Sequence, residues 1–165
     1  MEILAIILKS IAAGVAATGF AILFNVPQRT LFPVAVLGAL GGLVKFGTMH
    51  VGIDIVFASF LSATAIGIVS ISMAYAKNSP PLVFYIPSVI PLVPGFFIYN
   101  MMLGIMSMTR INDPDQYLQN LIATLNNGTK ATFILISLGI GVAVPMLLTR
   151  KESIKKNKPQ DVPGK

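Results

Sequence analysis

The chain has 165 residues, 55% of them apolar and only 11% charged, with a mean hydropathy of +0.80 and a net charge of +6. Cysteine is absent, which excludes disulfides and thiolate metal sites. Half of the basic residues lie after the last apolar run (Arg150, Lys151, Lys155, Lys156, Lys158 and Lys165), so the charge reads as a membrane flank and not as a nucleic-acid surface.

Five apolar runs are long enough to cross a bilayer core of about 30 Å. They cover residues 3–24, 31–46, 53–76, 82–108 and 132–148. The expected fold is all-α: a polytopic bundle of about five transmembrane helices in one transmembrane domain, 1–149, followed by a basic cytoplasmic tail, 150–165. A water-soluble helical protein would need polar faces that these runs lack.

The first run opens with Glu2 and carries Lys9 inside it, without a basic leader, which favours an uncleaved span over a signal peptide. Lys9 falls roughly 10 Å into that span at 1.5 Å per residue. Intramembrane lysine is costly and points to function, although its stem can also snorkel to the surface. The small residues of Ala12–Gly19, with Gly38 and Gly42 of the second run, suit close helix packing in lipid. Between these two runs the turn at 24–29 is short. Asn25 can cap the first helix, and Pro27 blocks its continuation.

Lys45 and Asp54 fall at neighbouring ends of the second and third runs. Asp54 is a candidate partner for Lys9, and the three together would form a charged ring at one mouth of the bundle. His50, the only histidine, sits in the loop between them. The third run repeats the small-residue theme with Ser59, Ser62, Ala63 and Gly67.

The fourth run carries Pro87, Pro91 and Pro94, at i, i+4 and i+7, followed by Gly95. On one helix face these prolines free the carbonyls of Val83, Pro87 and Ile90. Lipid cannot satisfy such groups, so the backbone must face protein or a wet cavity. A break over Pro91–Gly95 is therefore expected, with a second half-helix whose free N–H groups point into the bundle as a carboxylate receptor. Ser88, Tyr99 and Asn100 stand close enough to bond a freed carbonyl or a solute.

Next, Asp113, Pro114 and Gln116 form a helix start, and Asn127-Gly128 a plausible stop. Tyr117, Leu118, Leu121, Ile122 and Leu125 share one face of this stretch. It reads as a short amphipathic helix before the fifth span, with a lid or the start of that span as alternatives. With the tail inside and five spans, the N-terminus lies outside. Arg29, Lys77 and the tail then face Lys45, Arg110 and Lys130 across the membrane, as the positive-inside rule asks.

Residues for bond-breaking are missing: the sequence has no HExxH, no GK[ST] after its glycines, and no cysteine or serine paired with histidine. No catalytic residue, metal site or cofactor is expected. The eight methionines read as soft packing.

Two segments, Gly19-Phe-Ala-Ile-Leu-Phe-Asn-Val-Pro-Gln-Arg29 and Ile86-Pro-Ser-Val-Ile-Pro-Leu-Val-Pro-Gly95, resemble the threonine/serine exporter family, in the form of the small membrane-only subunit of its split bacterial type. The resemblance implies export of small metabolites, serine/threonine or a dicarboxylate such as succinate, across the bacterial inner membrane. It also implies a larger membrane partner subunit and a complex of about ten spans; a homo-oligomer is a further option. Motif positions carried over are Gly19, Phe24, Asn25, Pro27, Pro87, Pro91, Pro94 and Gly95. The solute path expected from residues and resemblance together comprises Lys9, Asn25, Lys45, Pro87, Ser88, Pro91, Pro94, Gly95, Tyr99 and Asn100. Two rival readings are a non-transporting assembly subunit and a passive pore.

Overall fold

The computed structural model describes residues 2–149; the basic tail lies outside them. Six α-helices follow one another: α1 (Glu2–Leu23), α2 (Leu31–His50), α3 (Ile55–Lys77), α4 (Leu82–Val89), α5 (Gly95–Met108) and α6 (Pro114–Thr149). Short 3-10 turns precede α2 (Gln28–Thr30) and follow α4 (Ile90–Leu92). Among the described residues there is no strand. Among the described residues four helices are long and apolar enough to cross a membrane, and a fifth span arises if the pair Leu82–Leu92 and Gly95–Met108, bent by 49°, counts as one. The all-α expectation holds.

α1 and α2 form an antiparallel hairpin joined by small residues. A Cβ on Gly14 would lie 2.6 Å from the Ala35 carbonyl, and one on Gly38 would lie 2.5 Å from the Ala17 Cβ. Such backbone contact supplies the dispersion energy that lipid-solvated helices depend on. The hairpin turns at Asn25, whose φ of 55° is left-handed, with Val26 N donating to Ala21 O at 3.0 Å. This is the Schellman pattern, and Asn tolerates it better than any residue but Gly. We expect Asn25→Val to lower stability by about 1–2 kcal/mol and Asn25→Gly to be near neutral, measured by denaturant unfolding in detergent. Asn25 is exposed in this turn, so the expected cap is present and its place in a solute path finds no structural neighbour.

α3 packs antiparallel to α2, with Ser62 Oγ donating to Gly41 O at 2.6 Å. α4 returns parallel to α2 and touches α1, α2 and α3. The two turns at this end of the bundle are tied by Arg29 Nη2, which donates to Ser79 Oγ at 3.5 Å. α6 runs alongside α3 in the same direction: Gly141 meets Ala63, and Gly67 meets Val142 and Pro145.

The amphipathic stretch after Pro114 is not a separate helix; it continues through Asn127-Gly128 into the fifth span as one helix of 36 residues. Gly128 serves packing and not termination, because a Cβ there would come within 2.8 Å of the Met101 sulfur on α5. The first half of α6 thus pairs with α5. Asn120 Nδ2 clasps the two, donating to Gly104 O at 2.9 Å and to Ser107 Oγ at 2.7 Å.

Candidate functional site: a broken span and a buried lysine

The three prolines act differently. Pro87 stays inside α4, where the neighbouring Ser88 Oγ reaches both Phe84 O at 2.8 Å and Val34 O at 3.2 Å. Pro91 lies in the 3-10 turn, whose tighter winding lets Val93 N donate to Ile90 O at 3.1 Å. Val93 then goes extended (ψ 138°), and Pro94 (φ −79°, ψ 58°) centres an inverse γ-turn closed by Gly95 N to Val93 O at 2.8 Å. The helix stops at Leu92 and restarts at Gly95.

The break strands the Leu92 carbonyl, because its helical partner, the Phe96 amide, is carried away by the turn. Lys45 Nζ replaces that partner, donating at 2.8 Å across from α2. The sequence points to freed carbonyls at Val83, Pro87 and Ile90. The 3-10 turn reassigns Ile90 O, and the oxygen that takes the lysine is Leu92 O.

Lys45 is only 7% exposed. It stands about one and a half turns before His50, near enough to the helix end for its stem to reach a surface. It does not, because side chains on a helix lean toward its N-terminus, which for α2 is the opposite end of the bundle. Lys45 therefore reaches inward, toward Gly41 and the break. The geometry inverts at Lys9. α1 begins where α2 ends, so the same lean carries the exposed Lys9 outward, and its Nζ rests 5.6 Å from the centre of the Phe46 ring.

The expected pair of Lys9 with Asp54 does not form. Asp54 caps α3, accepting from Val56 N at 2.8 Å, and the one close contact between a carboxylate and a basic side chain among the described residues joins Glu2 to His50 Nδ1 at 3.3 Å. Three charges with three separate tasks make no ring. No carboxylate among the described residues lies within ion-pair distance of Lys45.

The N-terminus of α5 also departs from expectation. Gly95 is exposed, Phe96 is 71% exposed, and the amides of Phe97 and Ile98 both donate to Pro94 O, at 3.1 and 3.2 Å. That helix end opens on the surface and not into the bundle. Tyr99 is 61% exposed and Asn100 half-buried, and neither bonds the carbonyls at the break. The structure thus gathers Lys45, Pro87, Ser88, Pro91 and Pro94 around one region, and leaves Lys9, Asn25, Gly95 and Tyr99 at its margins.

In the sequence Ser59 reads only as a small packing residue. It is fully buried, and its hydroxyl is a buried polar side-chain atom with no partner. Ser59 precedes Ser62 by one turn on the face of α3 that meets Gly41, and Lys45 follows Gly41 by one turn on α2. Because the two helices are antiparallel, this spacing puts Ser59 level with Lys45. The readable signal was the i, i+3, i+7 set Ser59, Ser62 and Ile66, but its register against α2 was not.

Two apolar clefts run beside α4. One, of about 530 Å³, separates α4 from α6 between Val89, Val93, Gly139 and Ala143; the other, of about 800 Å³, lies by Tyr75, Asn78 and Pro81. Neither is lined by Lys45.

These features define a multi-pass helical membrane protein with a broken span and a cation enclosed beside the break. Residues 9–148 match the family described as "Threonine/Serine exporter, ThrE". The chain belongs to the threonine/serine exporter family. It is also 31% identical over 136 residues to a Haemophilus influenzae protein described as uncharacterized. That match covers 82% of this chain and 45% of the relative, so the chain spans less than half the relative's length. No solved structure matches it.

Proposed function

We propose that this chain is the small subunit of a secondary active exporter for small carboxylate-bearing metabolites, serine/threonine or a dicarboxylate such as succinate. It works with a larger membrane subunit in the bacterial inner membrane, with its N-terminus outside and its C-terminus cytoplasmic, and is driven by the proton gradient. The carrying observation is Lys45: a cation folded inward against a broken span, with no carboxylate of its own, suits an acidic solute. Family membership supports export. The relative's extra length supports a second component that supplies the remaining spans.

Efflux from proteoliposomes containing this chain and the larger subunit, loaded in turn with labelled threonine, serine and succinate, tests the reading. Efflux of at least one solute that rises with an imposed proton gradient is expected. Pro94→Leu, which removes the γ-turn and lets the helix run on, is expected to cut it by about tenfold or more. No efflux of any of the three would overturn the proposal.

A second reading, an assembly subunit without a solute path, is favoured by the apolar cleft between α4 and α6, where Gly139 and Ala143 are exposed and would admit a close-packing helix. Under that reading, deleting this chain removes its partner from the membrane, while Pro94→Leu complexes retain full flux.

A further inference from the structure

Two buried polar groups, Lys45 at the break and Ser59 on the face of α3 that meets α2, stand out against the rest of the bundle. The other buried hydroxyls on α3 and α4 have acceptors: Ser62 on Gly41, Ser70 on Gly67 and Ser88 on Phe84 and Val34. Ser59 has none. The Lys45 ammonium carries three N–H donors, and its protein acceptor is one backbone carbonyl. Residues 45 and 59 are level on facing helices, but the Lys45 stem leans from there toward Gly41 and the break, so the spare hydroxyl and the cation short of acceptors stand about one turn apart, a donor set that closes when the stem swings back onto an anion.

We propose that Lys45 and Ser59 are the carboxylate receptor of this protein, and that the Leu92 carbonyl is a placeholder which the solute displaces. The inference rests on the exporter reading above and assigns that site its contacts. An incoming carboxylate accepts from the Lys45 ammonium through one oxygen and from the Ser59 hydroxyl through the other. A charged acceptor outcompetes a neutral carbonyl for an ammonium. Leu92 O then loses the bond that ties the end of α4 to α2. Binding and release of the break become one event, without any covalent or proton-transfer step.

Recognition is by the carboxylate, so amino acids and dicarboxylates both qualify, and the experiment separates them. Full-length chain in lipid nanodiscs is titrated with L-threonine, succinate and L-threoninamide, which keeps the side chain and amine of threonine but lacks its carboxylate. Saturable binding of L-threonine, succinate or both is expected, with none of L-threoninamide. Ser59→Ala is expected to weaken the bound probe by about tenfold, and Lys45→Met to abolish binding. Lys45→Arg, which restores charge and donors, should recover part of it. L-threoninamide binding as tightly as L-threonine, or wild-type affinity in both Ser59→Ala and Lys45→Met, overturns the inference, as does failure of both carboxylates to bind.

The two proposals fail separately. Carboxylate binding lost in these variants, without wild-type efflux from proteoliposomes, leaves the receptor standing and removes the exporter. Wild-type efflux that persists in both variants does the reverse.

Discussion

Lys45→Met is expected to abolish solute flux while leaving the bundle as stable as the wild type, or more so. On the cost side, the Leu92 carbonyl loses its 2.8 Å donor and is left buried, at about 1–3 kcal/mol. On the other, the ammonium of a buried lysine no longer has to be taken out of water, which removes a desolvation penalty of several kcal/mol. The second effect is the larger, and methionine fills similar volume with a flexible apolar stem. Losing a buried charged contact to a carboxylate costs about 2–5 kcal/mol, or ~30-fold or more at low solute concentration. Unfolding in detergent and efflux from proteoliposomes check the two halves. A large stability loss with proportionate flux loss would make Lys45 a structural brace.

Gly38→Leu is expected to have the largest effect on folding. A Cβ there would stand 2.5 Å from the Ala17 Cβ and 3.0 Å from the Ala13 carbonyl, with the Gly14 Cα at 3.3 Å. Three neighbours from one helix face cannot be relieved by rotating a side chain, because two of them are backbone. The hairpin must separate, which forfeits dispersion contacts along its length. Overpacking costs about 1–3 kcal/mol where the surroundings yield, and more where they do not. We expect loss of folded protein from the membrane fraction, measured by expression and thermal unfolding. Gly19→Leu on the facing helix α1, with nothing within 4 Å of its Cβ, is expected to be silent.

The contrast between these positions marks what sequence makes readable. The long apolar runs predict the helix bounds to within a few residues over α1, α2 and α3, because hydropathy and backbone satisfaction leave an apolar segment few options. Pro91, Pro94 and Gly95 predict the break for the same local reason. The sequence also carries the αL turn at Asn25, where Pro27 forbids further helix.

What it did not carry is register between elements. That Ser59 stands level with Lys45 depends on how α3 docks on α2, which Ser62, Gly41 and Ile66 settle jointly. That Lys45 turns inward while Lys9 turns outward depends on which way each helix runs, and snorkelling alone makes the two alike. Asn127-Gly128 is a reasonable stop in isolation. Only the approach of Met101 shows why a glycine is wanted in mid-helix. The pairing of Lys9 with Asp54 failed because a nearer task, capping α3, holds the aspartate.

The length of α6 has a mechanical consequence. At 1.5 Å per residue it extends about 54 Å, gripping α5 at one end through Asn120 and meshing with α3 at the other through Gly67 and Gly141. A stiff rod fixed at both ends cannot let one end travel alone. If α5 swings about Pro94, the displacement is delivered to the α3 crossing, where Gly141 already abuts the Phe60 carbonyl. Between the two grips the helix is weakest at Gly128, packed under Met101, and at Gly139, which has open space beside it, so any give in the linkage falls at these two points.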